Sequence, residues 1–163
     1  MLELRDVTKI YNAGTVTEMT QFDHFNLTVD DGQFVSIVGS NGSGKTSLLN
    51  ILCGSIPLDG GDVLVGGKSI RKQKDFQRYA TIGRVYQNPS LGTCPNLTML
   101  ENMSLADNKG KRFGLSFGVN RKRIDFYRAE LASLGLGLED KLDVKMGALS
   151  GGQRQAVALL MAT

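Results

Sequence analysis

No apolar run in the 163 residues is long enough to cross a bilayer, and the opening Met1 Leu2 Glu3 Leu4 Arg5 Asp6 lacks the basic-then-apolar order of a secretory leader. The expectation is a chain made and kept in the cytoplasm. Cysteine is scarce: Cys53 falls on a predicted buried helix and Cys94 in a loop before Pro95, a spacing that offers neither a zinc site nor a disulfide framework. Both read as structural thiols. An excess of one charge is also lacking, since the net charge of +3 is too small to argue for nucleic acid or an anionic membrane as a partner. Histidine occurs once, at His24, and no internal repeat or low-complexity linker divides the chain. Glycine is plentiful instead, 20 residues of 163 against roughly 7% in average proteins, which fits a chain with several tight backbone turns.

Those glycines gather first at Gly39 Ser40 Asn41 Gly42 Ser43 Gly44 Lys45 Thr46, which matches the phosphate-gripping pattern G-x-x-x-x-G-K-[ST] at every fixed position. Glycine lets the backbone turn tightly and bring its N–H groups against phosphate oxygens, and the opening of the next helix adds a partial positive charge. Lys45 is placed to reach the β and γ phosphates. The Thr46 hydroxyl, followed by Ser47, suits Mg2+, a hard cation that prefers oxygen ligands. The context is the required one: Phe34, Val35, Ile37 and Val38 predict a strand buried on both faces, and Thr46 through Cys53 predicts a buried helix ended by Gly54. A Gly/Ser-rich turn with a chance lysine is the alternative reading of the same eight residues.

Three regions separate along the chain. Residues 1–33 alternate polar and apolar positions, as in Leu2, Leu4, Val7 and again Phe25, Leu27, Val29, and predict a half-buried antiparallel sheet. Residues 34–87 hold the glycine loop and its helix, a turn-rich stretch around Gly60 Gly61 and Gly66 Gly67, a basic segment Arg71 to Arg78 and a predicted strand Thr81 to Tyr86, together an α/β core. From residue 88 to residue 163 the pattern is helical. Thr98 and Glu101 have capping-box spacing, and Ile124, Tyr127, Leu131 and Leu134 recur on one face before Gly135. The cations Lys109, Lys111, Arg112, Arg121, Lys122 and Arg123 follow one another without an intervening acid. They could meet lipid headgroups or an acidic loop of a partner, or form a solvated loop.

A second informative run is Leu149 Ser150 Gly151 Gly152 Gln153 Arg154 Gln155, with Ala156, Val157, Leu159 and Leu160 behind it. Ser150 stands where an N-cap should, and two glycines at a helix start leave backbone N–H groups open to an anion. A second phosphate reader and an ordinary cap with glycines for close packing both fit. The order of glycine loop, Gln87 after a strand, and Leu-Ser-Gly-Gly-Gln resembles the ATP-binding subunits of ABC transporters along the whole of the chain. At finer grain, Ile82 to Pro89 with Gly92 Thr93, Leu134 to Asp140, and Leu149 to Gln155 running to Leu160 Met161 Ala162 Thr163 resemble a bacterial amino-acid uptake group of tryptophan or tyrosine type.

The resemblance implies an α/β P-loop NTPase fold with an antiparallel β subdomain and a helical signature subdomain. It implies binding of ATP with Mg2+ through Gly39, Ser40, Asn41, Gly42, Ser43, Gly44, Lys45, Thr46 and Ser47, with Lys45 and Gln87 as catalytic residues and Thr46 and Gln87 toward the metal. Tyr11 would stack adenine, although a tyrosine at a sheet edge and, for Gln87, a glutamine capping a strand remain alternatives. Two subunits would meet head to tail, Ser150, Gly151, Gly152 and Gln153 of one against the γ-phosphate on Lys45 of the other. Transmembrane permease subunits and, indirectly, an extracellular solute-binding protein would complete the assembly, with this chain peripheral on the inner face of the membrane. One departure stands out: residues 1–163 stop before the acidic Walker B strand, the catalytic glutamate and the switch histidine of the family, and His24 lies too early to serve. The expectation is an ATPase in the intact parent and no turnover by this stretch alone. A soluble non-transport ABC ATPase and a nucleotide-binding module that never hydrolyses are the competing readings.

Overall fold

The computed structural model describes residues 1–111 and 118–163, so that Arg112 of the basic stretch lies outside the described residues. The chain divides into two compact units, Met1–Arg78 and Tyr79–Thr163. In the first, β1 (Leu2–Tyr11) and β2 (Met19–Val29) pair antiparallel as the alternation predicts, and β3 (Gly60–Val65) and β4 (Lys68–Ser69) extend the sheet in the order β2-β1-β3-β4. The inward residues Leu4 and Val7 pack against Leu48 of α1 (Lys45–Cys53), with Phe22, Phe25, Leu27, Leu52 and Leu58 around them. That contact seats the helix of the glycine loop on the sheet.

The β1–β2 ladder is broken by register shifts, the first between Leu4 and Val7, the next between Val7 and Lys9. Asp6 at φ 54° and His24 at φ 49° are the left-handed residues there. Asn26 ties them, its Oδ1 accepting the Asp6 N–H at 2.9 Å and its Nδ2 donating to the His24 carbonyl at 2.8 Å, while His24 Nδ1 lies 2.6 Å from Asp6 Oδ1. The bulge presses toward β3, where Gly61 takes φ 78° and a Cβ would stand well inside contact with the Asp6 and Arg5 carbonyl oxygens. Gly61→Ala combines left-handed strain with a clash against backbone, and a loss of about 2–4 kcal/mol is expected. Urea titration should show the midpoint moving down at an unchanged slope.

Two predicted strands are corrected. Residues 33–40 and 82–86 carry no ladder among the described residues, and Phe34 and Val38 are 96% and 86% exposed. A strand apolar on both faces is a property of its neighbours as much as of itself, and neither stretch is a strand of the sheet β2-β1-β3-β4. Of the turn-rich reading, Gly66 Gly67 do form the turn between β3 and β4, but Gly60 Gly61 are corrected: they open β3, whose Val63 and Leu64 are buried core residues. The short helix α2 (Asp75–Arg78) closes the unit, and its Arg78, 5% exposed, turns a guanidinium inward.

In the second unit, α3 (Met99–Asp107), α4 (Ile124–Ser133) and α5 (Gly151–Ala162) enclose a core of Met99, Met103, Tyr127, Leu131, Leu138, Leu142, Met146, Leu149 and Val157. Thr98 and Glu101 form the full capping box of α3, and Ser150 and Gln153 form that of α5. Ile124 and Leu134 flank the core beside the buried Tyr127 and Leu131, as the helical period predicts. Asn102, 1% exposed, exchanges hydrogen bonds with both backbone groups of Cys94 at 2.8 and 3.1 Å, pinning the loop that leads into α3.

Candidate functional site

The glycine loop folds as a tight turn, Ser43 N–H to the Ser40 carbonyl at 3.2 Å, and enters α1 through Gly44 at φ 90°. Gly44 is buried, and a Cβ there would meet Gln21 and Phe22 of β2. No side chain caps α1, and no acid stands in its first turn. The first-turn amides therefore keep the partial positive charge that an Asp or Glu would quench. Lys45 opens the helix, and its Nζ donates to the Gly39 and Ser40 carbonyls at 2.7 Å each, with Ser43 Oγ at 3.4 Å. The loop thus brings Gly39, Ser40, Ser43 and Lys45 together around one ammonium. Asn41, Gly42 and Thr46 are exposed beside it and Ser47 is half-buried. Such a cradle can hold an oxyanion by backbone N–H groups and a single fixed cation.

Within the first unit a divalent cation would find a hard oxygen donor in the exposed Thr46 hydroxyl beside Lys45. Among the described residues no group of three or more His, Cys, Asp or Glu could hold a metal. The donor chemistry fits Mg2+ only as a companion of phosphate oxygens, the way that ion is commonly bound.

Tyr11 ends β1, half-buried, opposite Met19. Lys9 Nζ lies over its ring, 5.4 Å from the centroid, and Lys9 is paired with Asp59 at 3.0 Å. Asp59 also accepts the Ile10 N–H at 2.7 Å. That amide, and then the Lys9 ammonium, hold the Asp59 carboxyl below the ordinary carboxylate range. A lowered folded value means that the contribution to stability is complete above about pH 4 and is lost as the pH falls through the lowered value.

In the second unit, Gln87 is exposed on a bend, and Asn88 after it caps the 3-10 turn Pro89–Leu91 by accepting the Ser90 N–H. Ser150 Oγ accepts the Gln153 N–H at 3.3 Å while Gln153 Oε1 accepts the Ser150 N–H at 3.1 Å, so the Gln153 carboxamide is committed to the cap. Gly151 and Gly152 are exposed, with open space where each Cβ would stand. Arg154 was part of the quoted run, but its work could not be read from sequence. Its guanidinium donates to the Met146, Gly147 and Leu149 carbonyls at 3.0–3.1 Å and to Ser90 Oγ at 3.1 Å. Gln155 Nε2 donates to the Tyr86 carbonyl at 3.3 Å. The residue before Gln87 and the turn after it are therefore both tied to α5. Lys9 and Asp59 carried no sequence signal either, because their meeting depends on strand register between distant segments.

A family model described as ABC transporter matches residues 22–163. The tyrosine transport ATP-binding protein of Clostridioides difficile (strain R20291) is 39% identical over 163 residues, 100% of this chain and 64% of that protein. The maltose/maltodextrin import ATP-binding protein MalK of Yersinia pestis bv. Antiqua (strain Antiqua) is 38% identical over 134 residues, 82% of this chain and 33% of that protein. A solved dimeric ATP-binding cassette in a post-hydrolysis state, bound to ADP and Pi, matches with a TM-score of 0.75 at 32% identity, covering 99% of this chain and 68% of that one. The chain thus spans less than two thirds of the length of these two sequence relatives.

Proposed function

This chain belongs to the ABC transporter family, and from that premise we propose that it is the ATP-binding subunit of an importer, the full-length protein hydrolysing Mg-ATP to drive uptake of an amino acid of the tyrosine or tryptophan kind. The observation that carries the reading is the loop Gly39–Thr46, whose left-handed Gly42 and Gly44 deliver Lys45 and the bare amides of α1 to one place. In this reading Lys45 holds the β and γ phosphates, Thr46 and Gln87 face the metal, and Tyr11 stacks the base. Bound Mg2+ would supply charge neutralisation at the phosphates. Ser150, Gly151, Gly152 and Gln153 meet the γ-phosphate held by a second copy arranged head to tail, so that the triphosphate joins the two. Permease subunits and an extracellular solute-binding protein complete the assembly, with this chain on the inner face of the membrane. The cargo rests on the 39% identity to a tyrosine transport ATP-binding protein.

The test has two arms. Calorimetry should show one Mg-ATP per chain. Cells lacking the gene should take up labelled tyrosine or tryptophan more slowly, with recovery on complementation by the native gene but not by Lys45→Ala. Normal uptake of both amino acids in the deletion strain would remove the cargo assignment, and absence of nucleotide binding would remove the whole reading.

A further inference from the structure

β1 pairs with β3 only as far as Thr8 opposite Gly60, while on its other edge it stays paired with β2 out to Tyr11 opposite Met19. The last three residues of the strand, Lys9, Ile10 and Tyr11, would thus have one open edge. Asp59 closes it. Its N–H donates to the Thr8 carbonyl at 3.1 Å, and its Oδ2 accepts the Ile10 N–H at 2.7 Å, so the carboxylate does what a carbonyl of a longer β3 would have done. The same carboxylate takes the Lys9 ammonium, at 3.0 Å from Oδ2 and 3.3 Å from Oδ1. The Lys9 side chain is only 9% exposed, which is rare for lysine and is tolerated because the charge is paired. Lys9 and Tyr11 stand two residues apart on one side of a strand, and the ammonium lies over the Tyr11 ring.

We propose that Lys9 and Asp59 are positioning residues that hold the Tyr11 ring in the orientation needed to stack a nucleobase, an inference that rests on the stacking role proposed for Tyr11 above. Asp59 fixes the end of the strand and the ammonium together. The ammonium, drawn from bulk water and tethered to a single carboxylate, occupies one side of the ring and leaves the opposite face to a flat heteroaromatic ligand. Neither residue touches the base. A pair that only stabilised the sheet would have no effect selective for ligands that carry a base.

The test compares Mg-ATP with Mg-tripolyphosphate, which has the phosphates and no base, by calorimetry on the full-length protein and its Lys9→Met, Asp59→Asn, Tyr11→Ala and Lys9→Met/Tyr11→Ala variants. Lys9→Met keeps the stem and removes the charge. Asp59→Asn keeps an acceptor for Ile10 and removes the ion pair, so it carries the same comparison should Lys9→Met fail to fold. ATP affinity is expected to fall about three- to tenfold in Lys9→Met, the scale of one cation–π contact, with tripolyphosphate unchanged. The double variant should bind ATP no more weakly than Tyr11→Ala alone. Equal weakening of both ligands, unchanged ATP binding in Lys9→Met and Asp59→Asn alongside a weakened Tyr11→Ala, or additive losses in the double variant would overturn the clamp. Unchanged ATP affinity in Tyr11→Ala would overturn the stacking role itself, and the clamp with it.

Discussion

Lys45→Ala is expected to weaken Mg-ATP and Mg-tripolyphosphate alike, by about 30- to 150-fold, the loss of about 2–3 kcal/mol that a charge-assisted contact to phosphate is worth. The equality of the two losses is the discriminating part. Lys45 sits among the carbonyls of Gly39 and Ser40, in the loop proposed to grip the phosphates. Its removal should therefore act on the phosphates alone, in contrast to Tyr11→Ala. The variant should fold, because the ammonium's hydrogen bonds among the described residues go to its own exposed loop. Calorimetry beside a thermal melt checks both statements. Wild-type affinity in the variant would reject the assignment of Lys45.

Gly151→Asp separates the stability of α5 from its proposed meeting with a second copy. The side chain has open space, and a carboxylate in the first turn of a helix is favourable by about 0.3–1 kcal/mol, so the melting temperature should hold or rise slightly. Mg-ATP binding to a single subunit should also survive. Against a γ-phosphate brought by another subunit, however, the same charge is repelled, by about 4 kcal/mol at 4 Å and an effective dielectric of 20. Dimerisation driven by ATP is expected to be lost. Light scattering with ATP, in a background that does not hydrolyse it, reads this directly. An unimpaired dimer would show that the signature glycines do not face phosphate.

What was legible in the sequence was what is local. The Thr98 capping box and the Ser150 N-cap each lie within four residues, and the Gly39–Thr46 loop with its helix is one contiguous run. Alternation gave β1 and β2 because one face of each is apolar. β3 was hidden by its own glycines: Gly60 and Gly61 read as a turn, whereas Gly61 is there because the Asp6 bulge leaves no room for a Cβ. The segments 34–38 and 81–86 failed in the opposite sense: their apolar content predicts strands, but a strand is completed by its neighbours, and neither segment is in the sheet β2-β1-β3-β4. At the candidate site, the residues matching a motif were readable, and those that hold them were not. Arg154 reaches Ser90 across 64 residues, and Asp59 reaches Ile10 across 49.

The inward guanidinium of Arg78 joins two stretches that sequence keeps apart. It donates to the Ile51 and Leu52 carbonyls in the last turns of α1, at 2.7 and 3.2 Å, and to the Arg71 and Gln73 carbonyls of the segment before α2, at 3.0 and 3.2 Å. The final turn of α1 cannot fray without uncovering carbonyls that the 71–78 segment also depends on, so the two stretches open to solvent as a single cooperative unit. Whatever holds the other end of that helix raises the free energy of the same opening. A triphosphate seated at Lys45 would in this way slow amide exchange in a segment that never touches it.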